Sequence, residues 1–432
     1  MSTSTNRHER KVFKLVLTGG PCGGKTTGQD RLAEFFESMG WKVYRVPETA
    51  TILQKGGVIF PELSSEDSFS FQESILLTML QIEKTFFRLA ENCKKDCLVI
   101  CDRGSMDPAA YMEDQGWQAI LEKNNFNTID LRDNRYNQAP SLSPFFSSYL
   151  TCLQVVHLTT AADGAEEFYT LANNVTRSEG IQKACFIDKR TQQVWIGHPY
   201  FDVVVCSRAG LATGDRLKQG SKKRKWLVAA ILADKEFPQF EEFDVVHNYL
   251  RVSEAGEQCR IRKRGQRGKF CYSYTTRRTA AGERLDTRVQ ITSRDYELLW
   301  LYRDPRREAI LKKRRTFMWR DRYFQMDFYR QPLPPNCPTK EELLTLETYT
   351  VSREPWDETH FPDCLRIEKE ITGVEKYSMF NMSLRTDAAT ELSSVHSDPS
   401  FPNGTPSPQD ILKQGRSRKR PRTQLLRDSD SE

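Results

Sequence analysis

Along its first half the chain alternates short, fully apolar runs with longer stretches in which apolar residues recur every three or four positions. Val12, Phe13, Leu15, Val16 and Leu17 make the first run and predict a buried strand. Residues 28–39 carry Leu32, Phe35 and Phe36 at helical spacing, Gly40 ends them, and 41–46 predict a second strand. A long helical period over 69–90 leads into the apolar run 97–101. Two more strands are predicted over 153–158 and 203–206, with a helix over 163–174 between them. Strands alternating with helices predict an α/β domain, a parallel sheet covered by helices on both faces.

From residue 237 the period shortens. Alternating stretches at 244–250, 258–264, 270–277, 287–292, 314–320, 323–329 and 365–372 predict strands, and only 295–303 reads as helix. Cations repeat on the polar faces of these strands. Antiparallel strands of this kind predict a barrel, since closure removes sheet edges and aims alternate side chains inward.

Composition fits two domains. With 432 residues, 38% of them hydrophobic, the chain divides into a polar arm (1–10), a first domain (11–208), a glycine-rich basic linker (209–236), a second domain (237–384) and a tail (385–432). The tail is rich in Ser, Thr, Pro and Asp and is expected to be disordered. Eleven cysteines without a C-x-x-C pair point to a reducing, cytoplasmic compartment. No apolar run approaches the roughly 20 residues that span a bilayer, so membranes are expected to be met only peripherally. The basic run from Arg416 to Arg422 reads as a nuclear-entry signal or an acidic-lipid patch. The net charge of +6 is uneven, because residues 251–330 hold 22 Lys and Arg against 10 Asp and Glu. Such a local excess implies an anionic partner, with nucleic acid the less favoured one.

The clearest chemistry follows the first strand. Gly19 to Thr26 fits G-x-x-x-x-G-K-[ST], in which Gly19, Gly20, Pro21, Cys22, Gly23 and Gly24 turn their backbone around phosphates. Lys25 is placed against the β- and γ-phosphates, Thr26 offers a hydroxyl to Mg²⁺, and Thr27, at the helix start, completes the nucleotide-binding set. Asp102, ending an apolar strand, reads as the acid that orients the metal or its water shell. Glu48, Asp102 and Arg103 each follow a strand and so converge on one crevice, while Arg177 reads as a lid arginine that neutralises phosphate charge. In the second half, Arg260, Arg262 and Arg264 share one strand face. Arg277, Arg288, Lys313 and Arg315 are expected to add to an anion- or lipid-binding wall, opposite Glu368 and Glu370. No N-K-x-D stretch is present, so the residues leave GTP and ATP both open.

The segments GGPCGGKTT, VPET (46–49), CDRGSMDPAAY (101–111) and GHPYFDVVV (197–205) resemble the nucleoside-kinase-like P-loop families, including ribosylnicotinamide and deoxyribonucleoside kinases. That resemblance implies that Glu48 acts as base and that Asp102 and Arg103 hold acceptor and phosphates, although Thr49 and Gly104 replace a usual proline and a common serine. The second half is similar to the CYTH, or triphosphate tunnel, superfamily through R-x-R at Arg260 and Arg262 and E-x-E at Glu368 and Glu370. This implies an α+β fold with an antiparallel barrel holding a phosphorylated ligand. The superfamily's opening E-x-E-x-K is replaced by Phe243, Asp244, Val245, Val246 and His247, which argues against triphosphate hydrolysis. The two domains in this order resemble the TRPL translocation defect protein family over residues 11–384. That resemblance implies GTP and phosphoinositide binding and a role in trafficking photoreceptor membrane proteins. The alternatives are a nucleoside-type kinase using Glu48 and, more weakly, a CYTH-type triphosphatase.

Overall fold

The computed structural model describes residues 11–136, 155–169, 180–207, 210–213, 220–233, 236–252, 257–280, 283–320, 322–352 and 355–385. Apolar runs in the first half become β1 (Val12–Thr18), β2 (Lys42–Val46), β3 (Cys97–Asp102), β4 (Val155–Leu158) and β5 (Phe201–Ser207), to which β6 (Gly210–Thr213) is added. They form one sheet in the order β2-β3-β1-β4-β5-β6. The first five strands run parallel and β6 folds back antiparallel to β5.

Among the described residues, the helices of this half are α1 (Lys25–Ser38), α2 (Thr49–Lys55), α3 (Ser65–Asn92), α4 (Asp114–Lys123) and α5 (Ile181–Trp195). Side chains alternate across β1, so Phe13, Leu15 and Leu17 bury against Ala33 and Phe36 of α1. Val16, on the other face, joins Leu76 and Phe87 of α3 and Trp195 of α5. The expected helices on both faces are thereby present. α3 starts at Ser64, whose hydroxyl accepts from Asp67 N at 3.1 Å, an ordinary N-cap. The helix expected over 163–174 is seen only as a short 3₁₀ turn at Glu166–Phe168. Residues 170–179 lie outside the described ones.

The second half forms a nine-stranded antiparallel sheet. Its strands are β7 (Lys222–Ile231), β8 (Phe240–Leu250), β9 (Gln258–Gln266), β10 (Lys269–Ala280), β11 (Glu283–Ile291), β12 (Ile310–Trp319), β13 (Arg322–Tyr329), β14 (Leu344–Thr350) and β15 (Leu365–Glu370). Their order is β11-β10-β9-β8-β12-β13-β14-β7-β15. A closed barrel was expected, but among the described residues β11 and β15 are the two edges of an open sheet. The sheet is covered instead by packing. Helix α6 (Ser293–Trp300) lays Tyr296 and Leu299 on Ile261 and Tyr274, and aromatic side chains around Phe317 and Phe324 fill another layer. The stretch 209–236 was expected to be a linker, yet it holds β6 and β7. Its basic run 222–225 continues into Trp226, Leu227 and Val228, which are buried, so it reads as strand once partners on both sides exist.

The two halves meet through charged and aromatic side chains. A π-helical turn at Ile129–Asn134 brings Ile129 against Phe243, Val245 and Cys271 of the second sheet. Arg264 donates to Asp133 Oδ2 at 3.1 Å, and Gln290 Nε2 donates to Asn134 Oδ1 at 2.7 Å.

Candidate nucleotide site

The glycine-rich loop leaves β1 and enters α1 beside the carboxyl ends of β3 and β4. Gly19 has φ +132°, and a Cβ there would lie 2.0 Å from Leu158 O. No other residue fits so close to β4. Gly24, in the left-handed region, caps α1 with no side-chain hydrogen bond, so the first N–H groups of the helix remain available to an anion. Thr26 and Thr27 are exposed in that first turn, and Pro21 and Gly23 are buried against the sheet. Cys22, partly buried, has φ 56°.

Lys25 is buried and reaches back into the loop. Its Nζ donates to Gly19 O at 3.1 Å and Gly20 O at 2.8 Å. Burial, and next the Arg103 charge, push its pKa down to about 8 against the attraction of Asp102 and Glu48. A cation whose bonds are spent on carbonyls is ready to exchange them for phosphate oxygens.

Asp102 ends β3 with its side chain facing Thr26. Thr26 Oγ1 lies 3.4 Å from Asp102 Oδ2, while Asp102 Oδ1 is buried with no hydrogen-bond partner. Burial raises the carboxyl's pKa, countered first by Lys25. An orphaned carboxylate oxygen beside a hydroxyl fits a hard divalent cation with oxygen ligands. Thr26 and Asp102 would hold Mg²⁺, which when bound neutralises phosphate charge.

Arg103 adopts φ 70°, an uncommon conformation for a side chain of this size. Its N donates to Leu17 O at 2.9 Å, fixing the turn. Its guanidinium pairs with Glu48 through Nε and donates to Gly19 O at 3.2 Å and Asp107 Oδ2 at 3.3 Å. Glu48 also accepts from Thr51 Oγ1 at 2.6 Å. Burial alone would raise its pKa, but Arg103 and then Lys25 hold it at about 2. Glu48, Asp102, Arg103 and Lys25 therefore do converge.

This loop, its buried lysine and the orphaned acid settle the first half. It is a nucleotide-binding P-loop domain. Residues 14–212 match the AAA_28 family model, described as an AAA domain. No curated protein matches the chain in sequence. Among solved structures, the chain is similar to the inorganic triphosphatase NE1496, with 19% identity, 38% of this chain and 94% of that one covered and a TM-score of 0.26. It is also similar to deoxyadenosine kinase from M. mycoides with bound dATP, with 16% identity, 45% and 90% covered and a TM-score of 0.25.

Three residues of the P-loop domain's site escaped the sequence reading. Asp107 Oδ1 accepts from Thr18 Oγ1 at 2.8 Å and from Trp195 Nε1 at 2.7 Å. Asp188 Oδ1 accepts from Gly20 N at 2.6 Å and Thr160 N at 3.1 Å, with His157 Nε2 3.2 Å away. Asp107 stands inside the segment CDRGSMDPAAY but was assigned no role there, and His157 and Asp188 lie in no motif. Arg177 lies outside the described residues, as do the tail from residue 386 and with it the run from Arg416 to Arg422.

The expected cationic wall of the second sheet divides. Arg260 and Arg262 are partly buried, and Arg260 Nε together with Arg262 Nε and Nη2 has no hydrogen-bond partner. The register sets His247 and Ser273 opposite Arg262, and each has a buried unpartnered atom too, Nδ1 and Oγ respectively. Arg288 belongs to the same face and stacks on Tyr200, 5.3 Å from its ring. Four residues depart from the expectation. Arg264 is buried at the domain junction, where Asp133 spends its charge, and Arg277 is forked onto Asp286 by two bonds of 2.6 Å. Lys313 and Arg315 point to the opposite face, where both pair with Glu242. A one-residue register difference exchanges faces, so Lys312 and Arg314 take their place and pair with Asp327. Glu370 pairs with Arg224 and Glu368 with Lys369, so neither faces the wall. The strand that opens this sheet is β7 rather than 243–247, and Lys223 and Lys225 flank its Arg224. An E-x-E-x-K pattern is absent there as well.

Proposed function

We propose that this protein is a nucleotide-regulated adaptor: GTP with Mg²⁺ occupies the P-loop domain, and the Arg260–Arg262 face of the second sheet docks on phosphoinositide headgroups of a membrane. The resemblance noted above supplies GTP, phosphoinositide and the trafficking of photoreceptor channel proteins. In this reading the protein works in the cytoplasm and touches membranes peripherally, and Arg416 to Arg422 offer nuclear entry as a further route. No helix among the described residues is long and apolar enough to cross a membrane. One observation carries the anion-binding half: buried donors of Arg260, Arg262, His247 and Ser273 converge in register without partners. Burying such groups costs free energy unless a ligand pairs them.

A second reading is a nucleoside-type kinase with Glu48 as base, favoured by the Glu48–Arg103–Asp107 cluster. A carboxyl held at about 2 is ionised but weakly basic, whereas an effective base is matched to neutral pH. That tips the balance toward regulation over phosphoryl transfer. A CYTH-type triphosphatase is the weakest reading, because the carboxylates on this face, Asp327, Glu347 and Asp286, are each bound to cations. Flotation with phosphoinositide vesicles tests the adaptor. Retention is expected to fall at least tenfold in Arg260→Ala/Arg262→Ala and to weaken with salt. Equal retention of the double variant would refute it. Competition between GTP and ATP for the purified protein tests the guanine assignment.

A further inference from the structure

Helix α5 is anchored to both ligand-binding faces. At its middle, Asp188 holds Gly20 N of the nucleotide loop from behind, and a Cβ at Gly20 would come within 2.6 Å of that carboxylate oxygen. At its end, Trp195 Nε1 donates to Asp107, the same carboxylate that Arg103 contacts. The next residues leave for the second sheet. Ile196 O accepts from Arg132 Nη1 at 2.8 Å, Gly197 O accepts from Arg264 Nη2, and His198 O accepts from Tyr323 OH at 3.5 Å. Tyr200 lies beneath the guanidinium of Arg288.

This connection has no slack. Trp195 and His198 are fully buried, and burial pushes the His198 imidazole down to about 3, so it stays neutral. Gly197 has φ +104°, and a Cβ there would lie 2.7 Å from Phe243 and 2.8 Å from Arg132. Seven residues of helix, about 10 Å, separate Asp188 from Trp195. Asp133 completes a buried clamp by accepting from both Arg132 and Arg264. Arg264 is two residues beyond Arg262 and on the same strand face, roughly 7 Å along β9. A movement of α5 at the loop is thus passed to the strand that carries the unpartnered arginines.

The loop supplies a reason to move. Gly20 is gripped at both ends, its N by Asp188 and its O by Lys25. When Lys25 turns from Gly20 O to a phosphate, the pull on Asp188 changes. We propose that nucleotide in the P-loop and a phosphorylated anion on the β8–β11 face bind interdependently, coupled through α5 and the Arg132–Asp133–Arg264 clamp. This rests on the reading above that the Arg260–Arg262 face takes such an anion.

The test uses the full chain, phosphoinositide vesicles and GTP with Mg²⁺. Vesicle affinity is measured with and without nucleotide, and nucleotide affinity with and without vesicles. The expected result is a change of about fivefold or more, equal in both directions of measurement, as linkage requires. In Arg264→Lys, whose single ammonium cannot hold Asp133 and Gly197 O together, the ratio is expected to fall toward one. Vesicle binding that ignores nucleotide in the wild-type protein overturns the coupling alone. No vesicle binding in either state overturns the coupling and the adaptor reading together. A ratio that persists undiminished in folded Arg264→Lys also overturns it, since the clamp would then carry nothing.

Discussion

At the scale of single residues, Lys25 carries the sharpest expectation. Its pKa of about 8 lies below the ordinary lysine value, and a bound polyanion favours the charged form. Nucleotide affinity should therefore be highest below pH 8 and fall as the free protein's ammonium loses its proton, by about tenfold between pH 7 and 9. A nucleotide titration across that range checks it, and Lys25→Ala should bind at least a hundredfold more weakly and show no such fall. Asp102→Asn should remove the Mg²⁺ dependence of that affinity, since the orphaned oxygen would lose its charge. Both residues were legible in the sequence because phosphate and metal chemistry demand them at a set spacing after a strand. Asp188 was not, because a residue that supports the loop from behind needs only proximity in space.

At the scale of elements, register decided what spacing left open. Lys312, Arg314, Asp327 and Glu347 are buried and meet across β12, β13 and β14, and the exposed Lys223 of β7 reaches Glu347. Burial pushes the Lys312 ammonium down to about 7 even though Asp327 accepts from it at 2.6 Å. Asp327→Asn leaves Lys312 and Arg314 without their shared partner and should cost about 3–5 kcal/mol in urea unfolding. Burial opposes ionisation of Glu347, but Lys223, with Arg314 and Lys225 behind it, outweighs this and holds the carboxyl at about 2. Its folded pKa is below its unfolded one, so its contribution is full above about pH 4.5 and lost as pH falls toward 2. Unfolding midpoints measured from pH 6 to 2 should decline over that window, and less steeply in Glu347→Gln. Strands β7 and β14 were missed in the sequence, and α5 with them. Lysine-rich β7 looks like a linker until neighbouring carboxylates neutralise it.

At the scale of the whole molecule, the junction between the sheets is charged, and breaking it has a predictable effect. Arg264→Ala leaves Asp133 buried with Arg132 alone and should separate the unfolding of the two halves into distinct calorimetric transitions. A single unshifted transition would count against a structural role for that contact. The phosphate loop, the acid after β3 and the change from a helical to an alternating pattern near residue 237 were determined by the sequence alone. Each is a local requirement of backbone geometry or side-chain period. Tertiary structure decided which cations remain unpaired, that the second sheet stays open, and that α5 joins the two faces. Those outcomes depend on which side chains meet across strands and domains, and a one-residue shift in pairing, invisible in spacing, moves a charge from one face to the other.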